Sequence, residues 1–476
     1  MKAKIIHKSI IALLVTLWLG GCVPVLKVTK TENKSVPANF GGSHDTTSVA
    51  NIKWRDYFND QNLIVLIDTA LKSNQELNIT LQEIEISKTE IRARKGEYLP
   101  FLGLKGGTGV EKEGRYTRHG AVDKNIEIKP GTEFPEPLPD YMIGAYASWE
   151  LDVWKKLRNA KKAAVNRYLS SVEGKNFMVT NLIAEISSSY YELMALDNQL
   201  AIIQKNIEIQ TNALQTIKQE KEAAKVTQLA VNRFEAQLLK TQNLQYEIQQ
   251  KIIETENKIN FLTGRYPQRI QRNSLVFNNI VLDSIYTGIP SQLLEKRMDI
   301  HQAELDLAAA RLDVKVAKAN FYPSIRITAA TGLQAFNPAY ILNPESMLFS
   351  LAGDFVVPLI NRNAIKAGYY KANAKQIQAI YNYERTILNA HIEVINQLSR
   401  ISNFSKSYDT KSKEVDILTQ SIIISNNLFK SARADYMEVL LTQREALESK
   451  IDLIEIKMKQ LNAKINIYKA LGGGWN

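Results

Sequence analysis

Four short segments alternate apolar and polar residues within a chain otherwise written in helical periods, and they come as two pairs. In the first segment Leu102, Leu104, Thr108 and Val110 fall on one face, with Gly103, Lys105, Gly107, Gly109 and Glu111 on the other. In the second, Ile143, Ala145, Ala147, Trp149 and Leu151 oppose Gly144, Tyr146, Ser148, Glu150 and Asp152. The third and fourth alternate in the same way around Ile325–Leu333 and Phe349–Val357. Period two is the strand signal. It predicts strands over about 100–112, 142–152, 324–333 and 348–358. Each pair follows a helical stretch and precedes a long helical run almost free of Gly and Pro, which makes the chain an internal duplication. Tyr98-Leu99-Pro100-Phe101 answers Phe321-Tyr322-Pro323-Ser324, and Arg158-Asn159-Ala160 answers Arg362-Asn363-Ala364. The segment from Gly114 to Asp140, with four prolines, is expected to be a long loop.

Four amphipathic strands are too few to close a barrel, and hydrocarbon does not tolerate open strand edges. Copies of the chain must close the sheet. Three copies give about twelve strands, within the range of outer-membrane barrels. On this expectation Leu104, Ala147, Ile327 and Phe355 face lipid, while Lys105, Glu150, Arg326 and Asp354, with Ser148, face a watery lumen. The helical run from Lys155 to about Glu222 would span roughly 100 Å if continuous. Apolar residues at Leu193, Leu196, Leu200, Ile203, Ile207, Leu214 and Ile217 recur at steps of mostly three and four, a heptad seam. Leu447, Ile451, Ile454, Met458, Leu461, Ile465 and Tyr468 form another.

The chain opens with Lys2, Lys4 and Lys8, an apolar run from Ile10 to Leu19, then Gly20-Gly21-Cys22. A basic start, apolar centre and small residues before a cut site make a secretory signal peptide, expected over 1–21. Leu19-Gly20-Gly21-Cys22 resembles the lipobox of bacterial lipoproteins, which implies cleavage before Cys22 and lipidation there. Cys22 is the only cysteine, so no disulfide framework is possible. Val23, where inner-membrane retention would place Asp, favours the outer membrane by analogy with enteric lipoprotein sorting. Residues 22–61 are expected to be a lipidated tether and the start of an equatorial region.

The formal net charge of +11 includes the three leader lysines, and the rest is spread thinly. No basic stripe with aromatic spacing points to nucleic acid. Four of the five histidines lie outside the leader, and none has ligand spacing. No phosphate loop or nucleophile-and-base pattern is present, so an enzyme is not expected, nor is any cofactor or metal beyond the lipid at Cys22. Glu304 reads as a helix-surface charge. Met178, Met194, Met298, Met347, Met437 and Met458 are scattered and read as fillers of core or interface.

Ile289-Pro290-Ser291-Gln292-Leu293-Leu294-Glu295-Lys296-Arg297-Met298-Asp299-Ile300 resembles the signature of TolC-like outer-membrane efflux proteins, with Met298 where Pro is usual. Ala303-Glu304, Ala308-Ala309-Ala310-Arg311 and the terminal Ala470-Leu471-Gly472-Gly473-Gly474-Trp475 continue the resemblance to the lipoprotein branch. It implies a mixed α and β fold: a trimeric twelve-stranded transmembrane β-barrel, four strands per chain, continuous with a long periplasmic α-helical coiled-coil tunnel. The implied layout is a first repeat over 62–264, an equatorial linker over 265–290, a second repeat over 291–471 and a tail over 472–476. The implied function is passive conduction of small molecules across the outer membrane. The implied partners are a periplasmic adaptor and an inner-membrane RND transporter. Ala224, Lys225 and Val226, with Ala432, Arg433 and Ala434, match the adaptor-contacting tips. Glu438 takes the first acidic place of the periplasmic gate, and Leu441 stands where a second acid is common. Ala230 occupies a position that is often acidic. Metal-ion efflux (copper or silver) and protein secretion use the same fold. A non-conducting coiled-coil lipoprotein of the envelope is the alternative of another class.

Overall fold

A computed structural model describes residues 23–26, 28–40, 47–280, 286–358, 360 and 362–475. Cys22 and the leader lie outside the described residues. The chain divides into two compact units. One holds Met1–Thr31, Glu85–Leu169 and Leu305–Tyr381, and the other Glu32–Ile84, Ser170–Glu304 and Asn382–Asn476.

The first unit carries the sheet. Its strands are β1 (Phe101–Glu111), β4 (Leu138–Leu151), β5 (Ser324–Ala335) and β6 (Met347–Val356), in the order β1-β4-β5-β6 and antiparallel throughout. β4 starts earlier than the alternation suggested, because Leu138 to Tyr141 pair with β1 beyond the clean repeat. β6 stops short of the expected 358 because Pro358 has no amide hydrogen to extend the ladder. The segment between β1 and β4 is more ordered than a loop. It holds a short helix α3 (Arg118–Asn125), capped by Thr117, and a small hairpin of β2 (Glu127–Lys129) and β3 (Thr132–Glu133). Glu136 joins Lys112 at 3.3 Å and also pairs with Arg115, fastening this module back to the end of β1.

Long helices dominate the second unit and extend into the first: α4 (Lys156–Glu222), α5 (Gln228–Leu262), α7 (Asn363–Lys430) and α8 (Tyr436–Ala470). Three shorter ones precede the strand pairs: α1 (Gln61–Ser73), α2 (Gln75–Tyr98) and α6 (Met298–Ala319). The apolar seams form the core. Leu193, Ile203, Ile217, Leu447, Leu461 and Tyr468 are all buried.

The duplication is visible atom by atom. Two residues past α5 comes Gly264, and two past α8 Gly472, each with positive φ. Each glycine donates its N–H three residues back, and the next residue donates five back: Arg265 to Asn260 at 3.0 Å, Gly473 to Tyr468 at 3.0 Å. This is the Schellman closure of a helix. Two residues before each glycine, the last helical carbonyl accepts from a side chain of the other half of its repeat. Asn74 Nδ2 donates to Leu262 O at 2.9 Å, and Arg297 Nη1 donates to Ala470 O at 3.0 Å. Asn74 also separates α1 from α2, accepting from the Leu77 N–H at 2.8 Å. A Cβ on Gly264 would lie 2.2 Å from Ser73 O, and one on Gly472 2.5 Å from Lys296 O. Gly264→Ala is expected to lower stability by at least about 1–2 kcal/mol through the left-handed backbone alone. Thermal denaturation of the purified protein checks this, with Gly96→Ala, a helical position in open space that should lose no stability, as the control.

The linker is pinned by a buried charge cluster. Arg272 reaches Asp197 at 2.6 Å and Glu256 at 2.5 Å, with only 8% of its side chain exposed. Burial disfavours its charge, but the hydrogen bonds it donates to the two carboxylates more than offset this and raise its pKa.

Candidate functional site

The strand register sorts the sheet into two faces. Leu104 lies opposite Ala145, Ala147 opposite Leu102 and Ala329, Ile327 opposite Trp149, and Phe355 opposite Ile325. Alternation therefore places Leu104, Ala147, Ile327 and Phe355 on one face. That face is apolar and bare: Leu104 is 85% exposed and Leu351 76%. The other face carries Lys105, Ser148, Glu150, Arg326 and Asp354. Arg326 stands directly between Glu150 on β4 and Asp354 on β6. Glu150 is also ion-paired with Lys156. Lys105 lies opposite Gly144, which lies opposite Gly332. A Cβ at either glycine would strike backbone oxygen of the facing strand, at 2.7 and 2.5 Å. Facing glycines of this kind mark a tight bend in a sheet.

Asp152, whose alternation put it on the polar face, is instead past the end of β4. It is buried, accepts from the backbone N–H groups of Leu157 and Arg158 at 3.0 and 2.9 Å, and meets the Arg158 Nε at 3.1 Å. It caps the start of α4 rather than lining a face, because β4 ends one residue before it.

Far along the long helices, two turns join α4 to α5 and α7 to α8. Both close by the Schellman pattern with alanine, not glycine, in the left-handed position: Ala224 at φ 57° and Ala432 at φ 53°. Lys225 donates to Glu220 O and Arg433 to Leu428 O, both at 2.9 Å. Ala224, Lys225, Val226, Ala432, Arg433 and Ala434 all sit in these turns. Below them the helix ends pack on one apolar cluster, with Leu214, Ile217, Val231 and Phe234 buried and Phe429, Tyr436 and Leu440 packed against them. Glu438 is exposed in the first turn of α8, and Leu441 is 38% exposed one turn on. Ala230 is fully buried in the tip cluster, where a carboxylate would lose its water. Arg233 lies beside Met437, with Nη1 2.6 Å from Sδ, a contact no spacing rule announced.

The signature stretch is a clamp. Arg297 is 4% exposed and grips Asp299 with two nitrogens, at 2.9 and 2.6 Å, then Glu393 on α7 at 2.6 Å and Ala470 O at the end of α8. Burial disfavours its charge, and the Asp299 and Glu393 carboxylates more than compensate. Glu304 pairs with Lys34 of the N-terminal segment at 2.7 Å. Among the described residues, no group of three His, Cys, Asp or Glu could hold a metal ion.

The family model of the outer membrane efflux protein matches residues 66–265 and 289–473. The chain belongs to the outer membrane efflux protein family. As such it acts in the outer membrane, in efflux. It is 26% identical over 441 residues to the solvent efflux pump outer membrane protein SrpC of Pseudomonas putida, covering 92% of this chain and 91% of that protein. It is 23% identical over 462 residues to the "Probable outer membrane lipoprotein SilC" of Salmonella typhimurium, covering 96% of each chain. The solved open state of the MtrE outer membrane channel of Neisseria gonorrhoeae superposes with a TM-score of 0.80 at 21% identity, covering 95% of this chain and 99% of that one. This efflux protein therefore has the outer-membrane channel fold.

Proposed function

We propose that three copies of this efflux protein close one twelve-stranded barrel and form an open-ended conduit for small molecules. The observation that carries this is the sheet itself: four strands, one bare apolar face, and β1 and β6 left as free edges. β1 and β6 run in opposite senses, since three antiparallel steps separate them. Edge β6 of one copy can therefore meet edge β1 of the next without breaking the antiparallel order. The polar face, with Lys105, Glu150, Arg326 and Asp354, then lines the lumen. Cyclic closure satisfies every edge. Native mass spectrometry of the detergent-extracted protein should show three copies. A monomer, or any other number, would refute the closure.

The helical conduit draws its cargo from an inner-membrane RND transporter through a periplasmic adaptor. The adaptor meets the tips at Ala224, Lys225 and Val226 and at Ala432, Arg433 and Ala434. Glu438 forms a carboxylate ring at the tunnel end that attracts cations, and Leu441 narrows the same opening. Glu438→Ala should reduce cation preference in planar bilayers, and Leu441→Ser should raise basal conductance. Recordings from assembled trimers that show neither change would move the gate elsewhere.

Cys22 carries the lipid. Asn373, buried on α7, donates to Val28 O at 3.0 Å, and Lys30 lies 4.7 Å from the centre of the Tyr381 ring. Six residues of extended chain reach about 20 Å. Asn373 is about 15 Å along α7 from its first residue. The tether is thus long enough for lipid on Cys22 to reach the level where α7 begins. Cys22→Ser should yield a mature protein without acyl mass, and an unmodified Cys22 in the native protein would rule the anchor out.

A further inference from the structure

Two helices carry a seam that the chain itself leaves empty. α2 meets its own chain along one line, from Leu77 through Ile84 and Ile91 to Tyr98, and its remaining surface is exposed. A second line runs beside the first. Glu76, Glu83, Glu90 and Glu97 stand seven residues apart, and Ile79, Ile86 and Ala93 follow the first three of them at a step of three. All of these are exposed, Ile79 at 60% and Ile86 at 67%. The first part of α7 carries the complement. Ala364, Lys371, Gln378 and Arg385 stand seven apart, and Ala367, Ala374, Tyr381 and Leu388 follow them at a step of three. These too are exposed, Tyr381 and Leu388 at 58% each, although Lys30 lies against the Tyr381 ring. Steps of three and four mark a helix seam that packs on a partner. A merely solvated face would not repeat large apolar residues at that spacing.

Closure of the sheet brings the two lines together. α2 leads into β1 through Leu99-Pro100, and α7 starts six residues past the end of β6. β1 and β6 are the edges of the sheet, so pairing β6 of one copy with β1 of the next sets α7 of the first beside α2 of the second. α2 runs toward the sheet and α7 away from it, so the helices meet antiparallel. Counted from their ends at the sheet, the levels agree. Glu90 lies eight residues before the end of α2 and Lys371 eight after the start of α7, about 12 Å along each. Glu76 and Arg385 both lie 22 residues from those ends, about 33 Å. Ile86 falls level with Ala374 and Ile79 with Tyr381, to within one residue. The α2 line holds acids and no base, and the α7 line holds bases and no acid. Arg94 of α2 pairs with Glu90 at 2.8 Å and Glu97 at 3.0 Å, and still leaves their side chains 50% and 45% exposed.

We propose that α2 of one copy lies along α7 of the next, and that Glu90 with Lys371 and Glu76 with Arg385 form an ionic code by which the chain selects copies of itself. Ile79 and Ile86 supply the apolar contact, and Ala367 and Ala374 let the helices approach closely. Exposed charges along a helix seam add little affinity, but they decide which partner and which direction are accepted. A different outer-membrane chain with other signs at these levels meets like charge where this chain meets opposite charge. The inference deepens the three-copy reading and rests on it, because closure of the sheet is what sets α7 beside α2.

Charge reversal in the full-length chain tests it. Lys371→Glu with Arg385→Glu sets acid against acid at two levels of each interface. One exposed charge contact shifts an equilibrium by about fivefold at most, so the reversed contacts of a whole ring should together lower trimer yield by about tenfold or more. Native mass spectrometry reads the yield. Adding Glu76→Lys and Glu90→Lys to that chain should restore the trimer. Adding Glu83→Lys and Glu97→Lys instead should not, because these two stand level with Gln378 and Ala364. The restored chain, tagged and co-expressed with wild type, should form trimers of its own, whereas two differently tagged wild-type chains should mix freely. Reversals that leave the yield unchanged, a failure of Glu76→Lys with Glu90→Lys to rescue, equal rescue by the other two glutamates, or free mixing with wild type would each overturn the code and leave three-copy closure standing. A wild-type chain that is not trimeric contradicts both.

Discussion

Leu104→Lys, Ala147→Lys, Ile327→Lys and Phe355→Lys should each lower the yield of assembled trimer sharply, while Ser148→Lys should not. A lysine on the lipid face near mid-membrane costs about 2–4 kcal/mol. Closure by three copies charges that cost three times per barrel. Ser148 shares the polar face with Lys105 and Arg326, so a lysine there meets water and should instead alter conductance or ion preference. Gel mobility of unheated samples measures trimer yield, and bilayer recordings measure the pore. Equal tolerance on both faces would mean that the bare apolar face is not the lipid face.

The second large effect is expected at Arg297. Arg297→Ala leaves Asp299 and the end of α8 without their cation. Removing one partner from a buried ion pair costs about 3–5 kcal/mol. Glu393 is half-exposed, so Glu393→Gln should cost much less. Arg297→Lys should recover only part of the loss, because an ammonium group cannot grip Asp299 with two parallel bonds. Thermal melting of the three variants, in the order Ala, Lys, Gln from least to most stable, checks the clamp. A melting point for Arg297→Ala equal to wild type would show that the signature has no structural role.

The strands were legible because period-two alternation is set by a local rule: each side chain takes the opposite face from its neighbour. All four appeared within a few residues of their expected ends, and the two faces separate Leu104 from Lys105 as the alternation required. The helix turns were legible through the resemblance, whose tip motif falls around Ser431–Tyr436. Other features depend on partners distant in sequence. Asn74 gave no sign that it would cap α2 and hold Leu262, 188 residues away. Arg297 stood out only through its place in the signature, while its partner Glu393 lies 96 residues on. Asp152 looked like one more polar residue of the alternation, and only the end of β4 at Leu151 turned it into a cap. The module between β1 and β4 was hidden by its prolines, which read as a loop although Thr117 starts a helix ahead of them. The N-terminal segment was expected to be a tether, and its stacking of Phe40 on His391 at 5.4 Å could not be read from its composition.

Single-channel recording from the purified, full-length protein in planar bilayers tests the central claim most directly. The account predicts discrete, stable openings from trimers, larger in Leu441→Ser and less cation-preferring in Glu438→Ala. Assembled trimers that never conduct, with or without these substitutions, would contradict the conduit and leave a structural lipoprotein of the envelope in its place.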